Sequence, residues 1–314
     1  MSAATCLALY YGALVAFGPR VLAWLTRGGQ APRAGVAAWL IAVSSFLLTG
    51  LTICVLIVRD VIAHWGQPSN LVVTCVELLC DFASGAHGSA AQIAVITAVF
   101  AVAITTAAIG VGVGRRIHRL RGSARHHCDA VRMVGQPLYG PHVYVLQAPE
   151  RAAYAVAGRP PAIVVTSSAV DALGKRELHA VIAHERAHVA GHHLTIATVL
   201  RALATALPHV GLLTRGAEDV ARLLEMCADD AAARRYGRRA LLAGLVALVG
   251  TAPAGALGAA DIAVLHRAAR LACPATGRAG LAAHTALIAA ATVIASSPIV
   301  IGVLDLSGTW MCPA

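Results

Sequence analysis

Long apolar runs without charged residues dominate the pattern of hydrophobic and polar positions along this chain. Four of them approach or exceed the roughly 20 apolar residues with which a helix crosses a bilayer. Runs of this length are too long for ordinary buried core helices. The pattern therefore predicts an integral membrane protein that is mainly α-helical, with about four transmembrane helices. The predicted spans are residues 1–18, 34–58, 90–114 and 279–304.

The composition supports the same class of protein. The 314 residues are 58% hydrophobic and only 13% charged, whereas soluble domains carry about 25% charged residues. This composition excludes a disordered chain, and eight cysteines are too few for a small disulfide-rich secreted domain. Cys75 and Cys80 lie in the predicted loop between the second and third spans, where they either form a disulfide or stay unpaired.

The distribution of arginine predicts the orientation, because cytoplasmic loops are enriched in basic residues. Three arginines and no acidic residue separate the first two spans, and five arginines lie within residues 115–125, after the third. We therefore expect the N-terminus outside the plasma membrane and a domain of residues 115–278 in the cytoplasm. Residues 1–114 then form the N-terminal membrane region, and residues 279–314 form a C-terminal membrane helix with a short tail. Tryptophans near the span ends fit the interfacial preference of this side chain: Trp24, Trp39, Trp65 and Trp310.

Two further apolar runs, at residues 194–213 and 240–260, are interrupted by proline. We interpret them as core or interfacial helices of the cytoplasmic domain, and entry of either run into the membrane stays open. The basic segment at residues 115–132 contains no aromatic residue that could stack on a base. We therefore expect it to contact anionic lipids of the bilayer, with no direct binding of nucleic acid.

A candidate metal-binding motif lies within residues 175–193, a segment with helical periodicity. It reads HERAH, with His184, Glu185 and His188 as its chemically active members. Residues four apart lie on the same side of a helix, so both imidazoles can reach one ion. Glu185 lies close enough to act on a water molecule beside that ion. These are the groups that zinc-dependent hydrolysis requires.

A catalytic zinc ion takes three protein ligands and keeps one position open. Leu194 occupies the place where an extended HExxHxxGxxH motif would carry its third histidine. The alternative ligand is Glu225, on a helix predicted over residues 217–235, and Asp229 one turn later can accept the outer N–H of a ligating histidine. Without the upstream motif, the two carboxylates would be interpreted as a solvated acidic face paired with nearby arginines.

Two histidines follow the motif directly. His192 and His193 are placed where they could tune or bind a metal. The end of a helix, however, favours cationic side chains in any case. We therefore interpret both as cationic residues at a helix C-terminus.

The HERAH motif, followed about forty residues later by RLLEMCADDAA, resembles the membrane-embedded gluzincins. It is most similar to the BlaR/MecR-type family, to which the HtpX and CAAX-protease families are related. The resemblance covers about residues 143–237 and includes the preceding AYAVAGRPPAIVVTSSAVDALGKREL, expected as a strand, a turn and a helix before the zinc helix. It implies a zincin-like α+β domain with a small sheet. The penicillin-binding sensor domain of that family is not expected in this chain.

The resemblance also implies an activity, that of a zinc metalloendopeptidase of the gluzincin type. Zinc would be held by His184, His188 and Glu225, with Glu185 as the general base and Asp229 behind a ligand. A second donor to the developing oxyanion is expected, and three candidates stay open: Tyr236, His209 and His266.

The β-branched run at residues 162–166 is predicted to be a strand. The resemblance implies that it forms an edge beside the zinc helix, where an extended substrate could pair with Ile163, Val164 and Val165. An ordinary buried strand is the alternative.

The expected substrate is a protein or peptide in the cytoplasm or near the membrane, cleaved in regulation or signal transduction. Quality control of membrane proteins is an alternative role, and a catalytically idle metal-binding membrane scaffold is another. Whether the chain forms a homo-oligomer stays open.

Overall fold

The fold consists of long helices around one small sheet. The computed structural model describes residues 3–63, 89–249, 259–272 and 277–307. Cys75, Cys80 and most of the predicted outer loop lie outside these residues. The helices are α1 (Ala3–Thr26), α2 (Pro32–Ala63), α3 (Ser89–Val134), α4 (Ser167–Ala172), α5 (Lys175–Ala190), α6 (His193–Ala206), α7 (Gly211–Tyr236), α8 (Arg238–Val249), α9 (Ala259–Ala272) and α10 (Gly277–Leu306). The strands are β1 (Gln136–Pro137), β2 (Val143–Leu146), β3 (Ala153–Val156) and β4 (Ala162–Thr166).

Three helices in the described part of the chain are long and apolar enough to cross a membrane. They contain the segments Thr5–Thr26, Pro32–Leu56 and Gly277–Leu304, which confirms three of the predicted spans. The fourth, residues 90–114, lies within α3, but many of its side chains fall outside the described set, and it stays a prediction. The division of the chain at residues 114 and 278 also stays a prediction.

The four strands form one sheet in the order β1-β2-β4-β3. β4 pairs with β2 in parallel and with β3 antiparallel, and all five of its residues are buried. The strand predicted at residues 162–166 is therefore confirmed, but the expectation that it is an edge is wrong. Both of its sides are occupied by other strands, so Ile163, Val164 and Val165 cannot pair with a substrate. The edge strand at this end of the sheet is β3.

Helix α5 crosses one face of the sheet. Its apolar side chains Leu178, Val181 and Ile182 form a core with Val143 and residues of β4. Local contacts define where the helix begins, because the Glu177 carboxylate accepts the Gly174 N–H at 2.9 Å. The end of α3 covers the other face through Cys128 and Val131. This packing holds the second half of α5 beside β3.

Helices α6 and α7 form a hairpin that packs against the candidate membrane spans. Its apolar residues share one core with α1, α2 and α10. Gly216 of α7 provides the room for the Trp39 ring, because a Cβ at this position would lie 3.2 Å from the ring. Trp39 is completely buried among protein side chains, and its expected place at the level of the membrane interface stays a prediction. Trp24, by contrast, is exposed.

The hairpin reaches far along the spans. Leu212, near the start of α7, lies against Gly18 of α1, eight residues before the end of that helix. At a rise of about 1.5 Å per residue this is about 12 Å along the helix. At the other end of the contact, Arg222 of α7 donates to the Thr26 carbonyl at the end of α1. Glu225, one turn later, therefore lies near the level of the turn between the first two spans.

Candidate metal centre

The two histidines of the HERAH motif face each other across one turn of α5. His184 and His188 are 4% and 8% exposed, and their Nε2 atoms are 3.1 Å apart. The i, i+4 spacing places both rings on the same side of the helix. The two atoms therefore converge at the bottom of a cleft.

The third member of the cluster comes from the other long helix of the domain. Glu225 of α7 lies with Oε2 3.4 Å from Nε2 of His184 and with Oε1 3.4 Å from Nε2 of His188. Packing of α5 against α7 through small residues such as Ala180 and Ala232 brings the helices close enough for this contact. Among the described residues, these three form the group that could hold a metal ion.

The spacing of the donor atoms fits a zinc ion. Ligand atoms about 2.0–2.2 Å from zinc at the corners of a tetrahedron lie roughly 3.3–3.6 Å from one another. The observed separations of 3.1, 3.4 and 3.4 Å are close to this value. Two imidazoles and one carboxylate also match the donor types of catalytic zinc sites. His184, His188 and Glu225 therefore fit the metal that the sequence suggested.

The opposite nitrogen of His184 contacts a buried carboxylate. Its Nδ1 lies 3.1 Å from Oδ1 of Asp229, whose side chain is 0% exposed. Such a contact fixes the proton on Nδ1, keeps Nε2 free for a metal, and makes the ring a better electron donor. Asp229 thus lies where the sequence predicted it, behind one ligand.

His193 plays the corresponding part for His188. The Nδ1 atoms of the two rings are 3.0 Å apart, and His193 is only 8% exposed. Burial and the adjacent His188 together lower the pKa of His193 to about 4, so the ring is neutral and its Nδ1 can accept a hydrogen bond from His188. The interpretation of His193 as a cationic residue at a helix end is therefore wrong. It begins α6, and Gly191 makes its position feasible, because a Cβ there would lie 2.3 Å from Nε2 of His193.

An arginine that no sequence motif indicates adds a positive charge beside the carboxylates of this cluster. Arg267 of α9 donates to both carboxylate oxygens of Asp229, at 2.7 and 2.9 Å. Its Nη1 lies 3.1 Å from Oε2 of Glu225, and its Nη2 lies 3.3 Å from Nε2 of His184. One guanidinium group therefore holds the Asp229 and Glu225 carboxylates in place.

These contacts shift the pKa values of the cluster. Burial lowers the pKa of His184, but the neighbouring Asp229 and Glu225 carboxylates outweigh it and raise the value to about 9. Burial raises the pKa of Glu225, but the two histidines and Arg267 lower it well below its usual range. Burial likewise raises the pKa of Asp229, but Arg267 and His184 lower it below its usual value. Glu225 and Asp229 are therefore ionised at neutral pH, as ligation and its support require.

Glu185 lies between the histidine pair and the sheet. Burial raises the pKa of its carboxylate above the usual value and outweighs the lowering effect of the Ala155 backbone of β3. A raised pKa suits a group that takes up a proton and releases it again near neutral pH. Ala153 and Ala155 line the same cleft as Glu185, so the free edge of β3 faces the candidate metal centre.

The metal centre opens into a cleft of about 540 Å³. β3 forms one wall through Ala153 and Ala155, and α6 forms the opposite wall through Leu194 and Thr198. Arg267 is also exposed to this cleft. The described lining contains none of the three residues proposed as second oxyanion donors: Tyr236, His209 and His266.

Part of this site was recognisable in the sequence and part was not. The HERAH motif and Glu225 have a characteristic spacing. Arg267 lies 38 residues beyond Asp229 within an ordinary RAAR sequence, and nothing local distinguishes it from other arginines. His193 follows Gly191 by two residues. This spacing was the one available signal that the chain could turn back and bring His193 into contact with His188.

Comparison with known proteins agrees with this geometry. Residues 120–252 match the model of Peptidase family M48. The matched segment begins inside α3, contains the whole sheet and all three candidate metal ligands, and ends just after α8. Arg267 and the three candidate membrane spans lie outside it. No curated protein and no solved structure gives a significant match to the chain.

Proposed function

We propose, from the match of residues 120–252 to the model of Peptidase family M48, that this chain is a membrane-integral zinc-dependent endopeptidase. Its substrate would be a cytoplasmic or membrane-proximal protein, cleaved in regulation or signal transduction. The observation that carries the proposal is the convergence of His184, His188 and Glu225 at zinc-ligand spacing, with Glu185 beside them. The further similarity to the BlaR/MecR-type family is part of the same proposal.

Each residue of the centre has a distinct task in peptide hydrolysis. Bound zinc would polarise the scissile carbonyl and acidify a water molecule. Glu185 accepts the proton of the attacking water and delivers it to the leaving amine. Asp229 and His193 keep the ligand rings in the orientation that the metal needs. Arg267 holds the carboxylates of Glu225 and Asp229. Its charge lies close enough to the cleft to favour negative charge on the reacting carbonyl.

The free edge of β3 supports binding of an extended peptide. An edge strand presents unpaired N–H and C=O groups that a substrate backbone can use. Ala153 and Ala155 line the cleft beside Glu185, so a peptide added along β3 would pass directly over the catalytic groups. Backbone pairing of this kind binds unfolded or flexible segments and excludes folded domains.

The packing of the hairpin supports a substrate close to the membrane. α7 begins beside the middle of the first candidate span and carries Glu225 near the level of the turn between α1 and α2. The metal centre would therefore lie at the membrane boundary, within reach of peptide segments that adjoin a membrane helix. The positive-inside distribution assigns this boundary to the cytoplasmic side.

The test compares three full-length proteins purified in detergent: wild type, Glu185→Gln and Glu225→Ala. Bound zinc is measured first, then cleavage of an unfolded casein-type substrate. Glu185→Gln should keep about one zinc ion and lose at least about a hundredfold in rate, because general acid–base catalysis contributes this much. Glu225→Ala should lose zinc.

Equal cleavage by wild type and Glu185→Gln would exclude the peptidase. Full zinc content in Glu225→Ala would show that a different residue is the third ligand. Zinc binding by the wild type without any cleavage would favour the idle scaffold.

A further inference from the structure

A second cavity continues the cleft beyond His188. It has a volume of about 410 Å³ and shares His188 and Leu194 with the cleft over the metal centre. Its charged lining is exclusively basic among the described residues, and we call it the basic pocket. The basic side chains that line it are Arg121 and Arg125 of α3, Arg159 of the β3–β4 connection, and His188 and His192.

The arginines of the basic pocket are available to a ligand. In the part of the chain that the structure describes, the guanidinium groups of Arg121, Arg125 and Arg159 make no ion pair with a carboxylate, and all three residues are exposed. Three unpaired cations around one cavity repel one another, and an anion placed among them relieves this repulsion.

The pocket is held in shape by contacts between α3 and the β3–β4 connection. The Cys128 thiol donates to the Pro160 carbonyl at 3.6 Å, and Arg132 donates to the same oxygen. Gly158 lies so close to α3 that a Cβ would come within 2.4 Å of the Cys128 sulfur. The backbone on either side of Arg159 is therefore held against α3, which places Arg159 in one pocket with the two arginines of that helix.

We propose that the basic pocket is a substrate subsite that binds an acidic side chain of the peptide, a statement that rests on the proposed peptidase function. A peptide paired with β3 over Ala155 would continue past residues 157–159 and enter the pocket. Arg159 is the fourth residue after Ala155, and four steps correspond to about 13 Å of extended chain. The acidic side chain would therefore lie about three or four residues from the scissile bond. If the peptide runs antiparallel to β3, this is on the amino side of that bond.

The occupant is inferred to be part of the peptide because the pocket has a wall in common with the metal centre. A side chain can reach it from the cleft without leaving the protein surface. Phosphate headgroups of anionic lipids carry the same charge, and the experiment below distinguishes them.

The experiment measures kcat/KM for a peptide series with full-length, zinc-loaded protein in neutral detergent. The parent is a peptide cut by the wild type, and Glu, Gln or Lys is placed at each of the four positions on either side of the cleaved bond. At one position, Glu should exceed Lys by roughly tenfold, mostly through KM, because several partly exposed ion pairs contribute together. Arg159→Glu should reverse this preference in favour of Lys.

The matched control is Arg119→Glu, which makes the same charge change on α3 but does not line the pocket. It should keep the wild-type order of Glu over Lys. Arg125→Glu provides a second pocket variant, and zinc content reports whether each variant folds. Because a damaged fold lowers cleavage of all peptides alike, only an altered subsite reverses the order.

Three results would overturn the subsite. Cleavage by the wild type without any charge preference would overturn it and leave the peptidase intact. A rate that depends on Arg159 only in phosphatidylglycerol vesicles, again without peptide preference, would assign the pocket to lipid headgroups. Absence of any Glu185-dependent cleavage would overturn the proposed function and the subsite with it.

Discussion

Loss of the Arg267 side chain should destabilise the protein more than loss of the next arginine on the same helix face. Arg267→Met would leave the Asp229 carboxylate, which is 0% exposed, without its two charge-assisted hydrogen bonds of 2.7 and 2.9 Å. Removing one partner of a buried ion pair costs about 3–5 kcal/mol, because the other charge stays buried. His184 stays beside Asp229 at 3.1 Å and offsets part of this loss, so we expect the lower end of that range. The additional contact with Glu225 adds little, since that side chain is 40% exposed.

Arg270 provides the matched control. Its Nη2 makes equally short contacts with both oxygens of Asp230, at 2.8 Å each, but Asp230 is 35% exposed. Water can solvate that carboxylate when its partner is removed, so Arg270→Met should cost only about 1 kcal/mol. Residue type, helix and bond length are the same, and Arg270→Met also removes a hydrogen bond to the Gly29 carbonyl. A larger loss in Arg267→Met is therefore attributed to the burial of Asp229.

The assay is urea denaturation of the detergent-solubilised protein, with a chelator present so that metal binding does not contribute to the free energy of unfolding. A double-mutant cycle with Asp229→Asn then measures the coupling. Arg267→Met/Asp229→Asn should be more stable than the sum of the single losses predicts, by about 2 kcal/mol or more. If Arg267→Met costs no more than Arg270→Met, or if the two changes are additive, the assignment of Arg267 as the clamp of Asp229 is wrong.

Two further predictions concern the groups around the centre. Gly191→Ala should weaken zinc binding about tenfold in a chelator competition, because its Cβ would displace His193 from His188. The control variant Gly211→Ala adds a methyl group that has no atom within 4 Å. Equal zinc affinities of the two variants would refute the reasoning. Burial raises the pKa of the Cys227 thiol to about 11, so the reactive thiolate is scarce at pH 8 and alkylation should accelerate about tenfold per pH unit until that pKa. Alkylation at pH 8 as fast as in the denatured protein would contradict this.

Local sequence patterns were sufficient to predict a helix or strand wherever that element depends on its own residues. The run at 162–166 is a strand because its β-branched residues suit a pleated, buried backbone. The helix carrying Glu225 ends at Tyr236, before Gly237 with a positive φ, which is the end that the sequence predicted. This helix begins at Gly211, five residues before Gly216. The added turn packs against the candidate spans and gains its stability from that contact.

Local sequence patterns could not predict contacts between segments that are distant in the chain. Whether a strand is an edge depends on which strands lie on either side, and β4 acquires both neighbours only when β2 and β3 assemble. A hairpin interrupts the apolar run at residues 194–213. The sequence of this run likewise gives no indication of how deeply the hairpin packs among the candidate membrane spans.

The sequence by itself determined the membrane class and the candidate chemistry of this protein. A bilayer requires long apolar helices whatever they pack against, and two histidines one helical turn apart converge wherever the helix lies. Only the tertiary structure decided what surrounds that chemistry: the edge strand β3, the fold-back of His193 onto His188, and Arg267 on Asp229. Each of these depends on chain segments that are remote in sequence and become neighbours only when burial of their apolar faces brings the elements together.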